Sequence, residues 1–157
     1  MDQSKWRRPR NVGNAKSLKD CWRPTMHVVG IIAWGLFEAY TIMEPDIQMS
    51  SSAQCTLLSW ALDIAEEMLK QRSLAMPDHL VVQADNTNKE TKHSIVCTYG
   101  GMLTAAGRLK SVSNHFHRVG HTHGPIDQRF SILGKALQTA TVLQTPKDFM
   151  EARDTLE

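Results

Sequence analysis

No apolar stretch of the chain approaches the length of a membrane span, and the opening residues Met1-Asp2-Gln3-Ser4-Lys5-Trp6-Arg7-Arg8 form neither a signal h-region nor a hydrophobic anchor. The expectation is a protein kept inside the cell, nuclear or cytoplasmic, with no membrane partner. Cysteine is scarce and odd in number. Cys21, Cys55 and Cys97 lack C-x-x-C spacing, which argues against a disulfide framework or a zinc knuckle and for reduced, packed thiols. Internal repeats and low-complexity linkers are also missing, and 157 residues suffice for one sizeable core. One domain over 1–157 is therefore expected, basic and partly irregular over 1–25.

The formal net charge is only +2, but it is unevenly spread. Residues 1–23 hold seven bases (Lys5, Arg7, Arg8, Arg10, Lys16, Lys19, Arg23) against Asp2 and Asp20, a balance of +5; the remainder has 11 bases and 14 acids, or −3. A phosphate backbone would dock on the basic end, with Lys5, Arg7, Arg8 and Arg10 as contacts. A solvated terminus explains the same residues, and both readings stand at this level.

Hydrophobic patterning places the elements. Met26 to Trp34 and Leu36 to Met43 are β-prone runs around Gly35 and read as an antiparallel pair. Ser51 with Gln54 is a capping-box candidate, and Leu57, Leu58, Ala61, Leu62, Ala65, Met68 and Leu69 mark one face of a helix ending near Arg72. Leu80-Val81-Val82 reads as a buried strand of a parallel or mixed sheet. A Thr87–Glu90 capping box predicts a helix starting just after Asp85. Its apolar face would carry Ile95, Val96, Tyr99, Met102, Leu103 and Ala106, and Gly107 would stop it. Leu109 to Val119 is a further strand, the helix from Pro125 turns Ile126, Phe130, Leu133 and Leu137 inward, and Thr145-Pro146 opens a last short helix. The order β-β-α-β-α-β-α is that of an α/β fold.

Two places concentrate chemistry. Asp85 closes an apolar strand, at the sheet edge where ligands gather in α/β folds. The run Gly120-His121-Thr122-His123-Gly124-Pro125-Ile126-Asp127-Gln128-Arg129 places two imidazoles, a carboxylate and a guanidinium at a turn-to-helix junction. If extended, it puts His121 and His123 on one face, suited to a metal, a phosphate or a reacting water. Each feature also has a structural explanation: Asp127 in a first helical turn favours the helix dipole, and Asp85-Asn86 suits a strand-to-helix turn. The alternation His115, His117, His121, His123 further suggests a transition-metal site, or hydrogen-bonded surface groups.

Taken together, Met1-Asp2-Gln3-Ser4-Lys5, Trp22-Arg23-Pro24, His27-Val28-Val29-Gly30, Asp85-Asn86-Thr87, Arg118 to His123 and Ile126-Asp127-Gln128-Arg129-Phe130 resemble an uncharacterised domain family of transposon-derived eukaryotic proteins. The resemblance spans nearly the whole chain. It implies an RNase H-like, transposase-related fold, a mixed sheet flanked by helices. In this sequence the strand that should lead into Asp2, in the middle of such a sheet, is missing, so a fragment is expected. The implied activity is metal-dependent phosphoryl transfer on nucleic acid, with Asp2, Asp85 and Asp127 holding Mg²⁺ or Mn²⁺. His121 or His123 would move a proton or touch a phosphate, and Arg129 would join the nucleic-acid contacts. Similar sequences carry Glu-Asp where this chain has Gly124-Pro125, a loss of two carboxylates. The alternatives are a nucleic-acid-binding remnant without chemistry and a decayed reading frame; catalysis itself is left open.

Overall fold

The computed structural model describes residues 27–43, 47, 49–84, 92–116, 124–139 and 145–154. Among them run β1 (His27–Ala33), β2 (Phe37–Met43), α1 (Ser51–Gln71), β3 (His79–Ala84), α2 (Ser94–Ala105), β4 (Ser111–Phe116), α3 (Pro125–Thr139) and α4 (Pro146–Asp154). This is a mixed α/β chain whose described strands form two two-stranded sheets, β1-β2 and β3-β4. The element order is the predicted β-β-α-β-α-β-α with the predicted last short helix after it. The strands β1 and β2 are joined by three residues, a link short enough only for antiparallel neighbours. At that turn the Leu36 N–H donates to Ala33 O at 2.9 Å, and Gly35 takes φ +73°, a value that disfavours any side chain.

The chain forms two compact units, one built on the open end of the hairpin, α3 and α4, the other on the hairpin turn, α1, β3, α2 and β4. In the first, Val28, Leu133 and Phe149 are buried, with Tyr40, Ile42, Phe130 and Leu137 packed around them. Tyr40 and Phe130 meet edge to face, ring centres 5.8 Å apart. Gly30 permits this approach of α3. A Cβ there would sit 2.6 Å from Ile126 Cδ1 and 3.1 Å from Phe130 Cζ.

In the second unit Leu62, Leu103 and Leu109 form the buried centre, lined by Leu58, Met76, Leu80, Tyr99 and Val112. The predicted stripe on α1 is the packed one, since Ala61, Leu62, Ala65 and Leu69 are all buried. Its cap lies one residue earlier than predicted. Ser50, in extended backbone, accepts from the Ala53 N–H at 3.2 Å, which leaves Ser51 as the first helical residue. Both long helices of this unit end in Schellman motifs. Leu74 N–H reaches Leu69 O and Ser73 N–H reaches Lys70 O after α1, while Arg108 N–H reaches Leu103 O and Gly107 N–H reaches Thr104 O after α2. Gly107 adopts φ +72°, as the predicted stop requires, whereas α1 places Ser73 in that region at +56°.

Three expectations need correction. The strand β3 is not buried on both faces: its residues alternate, and Val81 is 64% exposed, because the helices of this unit cover one face of the described pair. The described helix α2 starts at Ser94, where the His93 side chain caps it by accepting from the Ile95 N–H at 3.3 Å; the Thr87–Glu90 pair lies outside the described residues. Its inward stripe is Val96, Tyr99, Gly100 and Leu103. Ile95 and Met102, one position off that stripe, are 45% and 62% exposed, and Ala106 is exposed as well. No described helix is long and apolar enough to cross a membrane.

Burial predicts a contrast between neighbours on α2. Leu103→Ala should cost about 2–5 kcal/mol of unfolding free energy, whereas Met102→Ala should change it by less than about 0.5 kcal/mol. Urea denaturation of both variants checks this, and equal losses would refute the assigned helix face.

Candidate functional site

Parallel pairing gives the β3-α2-β4 unit an edge at which both strands end together. Antiparallel strands alternate direction, but here both strands run the same way, with His79 opposite Ser111 and Ala84 opposite Phe116. The chain therefore leaves both strands from one carboxyl edge, where α/β proteins collect ligands. Asp85 is the residue bonded to Ala84, and His117 the residue bonded to Phe116.

The opposite, amino edge is tied off within the fold. Asp78 O accepts from Lys110 N at 2.7 Å and from Ser111 N at 3.2 Å, and Lys110 Nζ bonds Asp78 Oδ2 at 2.7 Å. His79 Nδ1 and Ser111 Oγ share a hydrogen bond of 2.7 Å across the register. The Lys110 hydrogen bond holds the Asp78 carboxyl below the usual carboxylate range.

At the carboxyl edge the polar groups face outward instead. Gln83 and His115, register partners, are both exposed. Lys92 lies with Nζ 5.3 Å from the centre of the Phe116 ring, a cation–π contact. No acid occupies the first turn of α2, so its positive dipole end is not offset there. Among the described residues these groups are basic or neutral, a combination suited to phosphate, and the acid Asp85 follows Ala84 in sequence at the same edge.

Asp127 belongs to the other unit, at the start of α3. Its Oδ2 accepts from the Gly124 N–H at 2.9 Å, while Gly124 O accepts from Asp127 N and Gln128 N. That is half a capping box. The start of α4 shows the complete form, in which Asp148 Oδ2 accepts from Thr145 N at 2.8 Å and Thr145 Oγ1 accepts from Asp148 N at 3.2 Å. The sequences Gly124-Pro125-Ile126-Asp127 and Thr145-Pro146-Lys147-Asp148 are thus one device, and glycine lacks the hydroxyl that completes it. Two residues on, Arg129 is exposed on α3.

Of the other residues singled out from sequence, Asp2, Lys5, Arg7, Arg8, Arg10, Asp85, His121 and His123 lie outside the described residues, as does His117. Among the described residues no three His, Cys, Asp or Glu side chains cluster as metal ligands would. Cys55 is half-buried, and burial pushes its thiol up, as a packed thiol requires. Cys97 departs from expectation: it is exposed, because it lies off the packed stripe of α2. Sequence reading missed Lys92, His93 and Phe116. The available signal was an aromatic residue at the end of a strand and bases just before a helix.

Residues 16–155 match the model of a domain of unknown function, DUF7869. The chain belongs to that family. No curated protein and no solved structure matches it. The match takes in Asp85, the histidine-rich run and Asp127, so the candidate positions of the DUF7869 domain, apart from those before residue 16, lie inside the family region.

Two outcomes follow for this DUF7869 domain. Asp127→Ala should lower stability by about 1 kcal/mol through loss of the cap, while Asp127→Asn, which keeps a carbonyl acceptor, should lose roughly half of that. Thermal unfolding measures both, and a silent Asp127→Ala would remove the capping role. Because the folded-state pKa of Asp78 is lowered, its ion pair contributes above the ordinary Asp pKa and the contribution is lost as pH falls through the lowered value. Asp78→Asn should accordingly reduce the fall in stability on the acid side, as read by thermal unfolding at a series of acid pH values.

Proposed function

We propose that this DUF7869 domain is an RNase H-like, transposase-derived domain that engages nucleic-acid phosphates at the carboxyl edge of its parallel pair. The observation carrying the proposal is the register, which ends β3 and β4 together, so that Asp85 and His117 each follow in sequence directly from one edge. The element order supports it as well. Among the described residues a hairpin is followed by a helix and then by two parallel strands joined through a helix, an order compatible with such a sheet.

In the catalytic form of this reading Asp2, Asp85 and Asp127 supply an all-oxygen donor set, which suits Mg²⁺ or Mn²⁺. Such ions, when bound, lower the pKa of an attacking water or hydroxyl and stabilise the leaving oxygen. Asp127 would contribute its carboxylate while its Oδ2 also accepts from the Gly124 N–H. His121 and His123 would move a proton or contact a phosphate, with Arg7, Arg8, Arg10, Lys5 and Arg129 along the backbone of the nucleic acid.

A second reading, binding without chemistry, is favoured by one observation. Asp127 has a structural role without any ion, since it caps its helix as its counterpart Asp148 does in α4.

Calorimetric titration of the folded chain with Mg²⁺ and Mn²⁺ separates the two. Saturable binding lost in both Asp85→Asn and Asp127→Asn supports the catalytic form. Nucleic-acid binding that ignores both ions and weakens steeply with salt supports the second reading. A folded chain that binds neither ion nor nucleic acid overturns the proposal.

A further inference from the structure

We infer that Lys92 is a phosphate-contacting residue of this domain, its ammonium seated by the Phe116 ring at the carboxyl edge. The inference rests on the nucleic-acid partner proposed above and assigns that partner a residue which neither motif nor family match singled out.

A lysine on an exposed loop samples many rotamers, and ordering it on a ligand costs conformational entropy. Here the side chain is already gathered. Its Nζ stands 5.3 Å from the centre of the Phe116 ring, and Phe116 is the last residue of β4. Register fixes what that ring adjoins, because Phe116 is paired with Ala84, the last residue of β3. The charge is thus held where both strands release the chain, and its ring partner neutralises none of it. A carboxylate partner would do so, but among the described residues no acid pairs with Lys92, whereas Lys110 is matched by Asp78 and Arg108 by Asp63 and Glu66. Other basic groups of this unit are engaged by the fold itself. Arg108 and Lys110 are spent on internal ion pairs, and Arg72 donates to Gly35 O at 3.0 Å. Lys92 is positioned by a ring and has no acid partner among the described residues, which is the arrangement a phosphate contact needs.

Flanking chemistry agrees. His93 follows directly and uses Nδ1 to cap α2, so the backbone next to Lys92 is anchored. Gln83 and His115 add exposed hydrogen-bonding side chains at the penultimate pair of the same edge.

The test is the salt dependence of binding to a fluorescein-labelled oligonucleotide, single-stranded and as a duplex, followed by anisotropy from about 50 to about 200 mM salt. Loss of one phosphate contact in Lys92→Ala should reduce the slope of log affinity against log salt by about 0.7 for the single strand or 0.9 for the duplex. On duplex, the affinity lost across that range should be about three-fold smaller than for the parent. Lys92→Arg should restore the slope. Phe116→Leu, which keeps apolar bulk but removes the ring, should weaken binding while leaving the slope at the parent value, because the charge remains and only its seat is gone. Lys110→Ala, at the other edge, should leave the slope unchanged.

If the parent binds and Lys92→Ala has the parent's slope, this inference fails and the nucleic-acid reading stands. An equal fall in slope for Lys110→Ala and Lys92→Ala would show diffuse charge attraction and would also overturn it. A parent that binds neither oligonucleotide removes both.

Discussion

The parallel alignment of β3 with β4 is the constraint on which the second unit depends. Parallel neighbours cannot be joined by a tight turn, so the chain must cross over, and here α2 makes that crossing. Once α2 has to lie against the pair, its inward residues are dictated. Gly100 allows the helix to approach Val112, where an added Cβ would stand 3.2 Å from Cγ1, and Leu103 is buried with Leu62 and Leu109. The Schellman end at Gly107 then turns the chain so that Leu109 enters the same core and Lys110 meets Asp78. Packing, helix stop and ion pair are consequences of one choice of strand direction.

The two edges of the pair divide the labour. At the amino edge the strand entrances are fixed by Asp78, Lys110, His79 and Ser111, whose polar groups bond each other. Fixing the entrances sets the register, and the register carries through to Ala84 opposite Phe116. Precision at the far edge is thus supplied by groups that have no part in it. This is why stability at Asp78 and the phosphate contact proposed at Lys92 belong to one account: the first bears on where the second stands.

Much of this was legible in the sequence, and what was not has specific causes. Element type and order were readable because the apolar stripe of α1, the Gly107 stop and the Pro125 and Pro146 starts are each written in local residue choices. The exposed outer face of β3 was not. An unbroken Leu80-Val81-Val82 run carries the same local signal whether one face or two are covered, and the cover is a tertiary fact. The start of α2 was misjudged because Thr87–Glu90 makes a better consensus cap than His93, yet the histidine ring nitrogen at 3.3 Å from the Ile95 N–H performs the same service. Of the candidate site residues, Asp127 and Arg129 fall among the described residues, and the cap at Asp127 was readable as its structural alternative. Lys92 was readable only as a base just before a helix, since its contact with Phe116 joins the ends of two separate segments of the chain.

Asp127 shows why motif and role must be argued separately. Its position after Gly124-Pro125 matches that of Asp148 after Thr145-Pro146, and the two carboxylates accept the same backbone N–H in the same helical turn. A fold that needs the acid for its helix will keep it whether or not a cation is ever held. Conversely, a carboxylate oriented by one backbone bond is better placed to present its second oxygen than one free to rotate, because part of the ordering entropy has already been met. Capping and ligation therefore do not compete for Asp127. The contrast that separates them is chemical: a cap needs one acceptor oxygen, which asparagine also supplies, whereas a divalent ion favours the anionic charge that asparagine lacks.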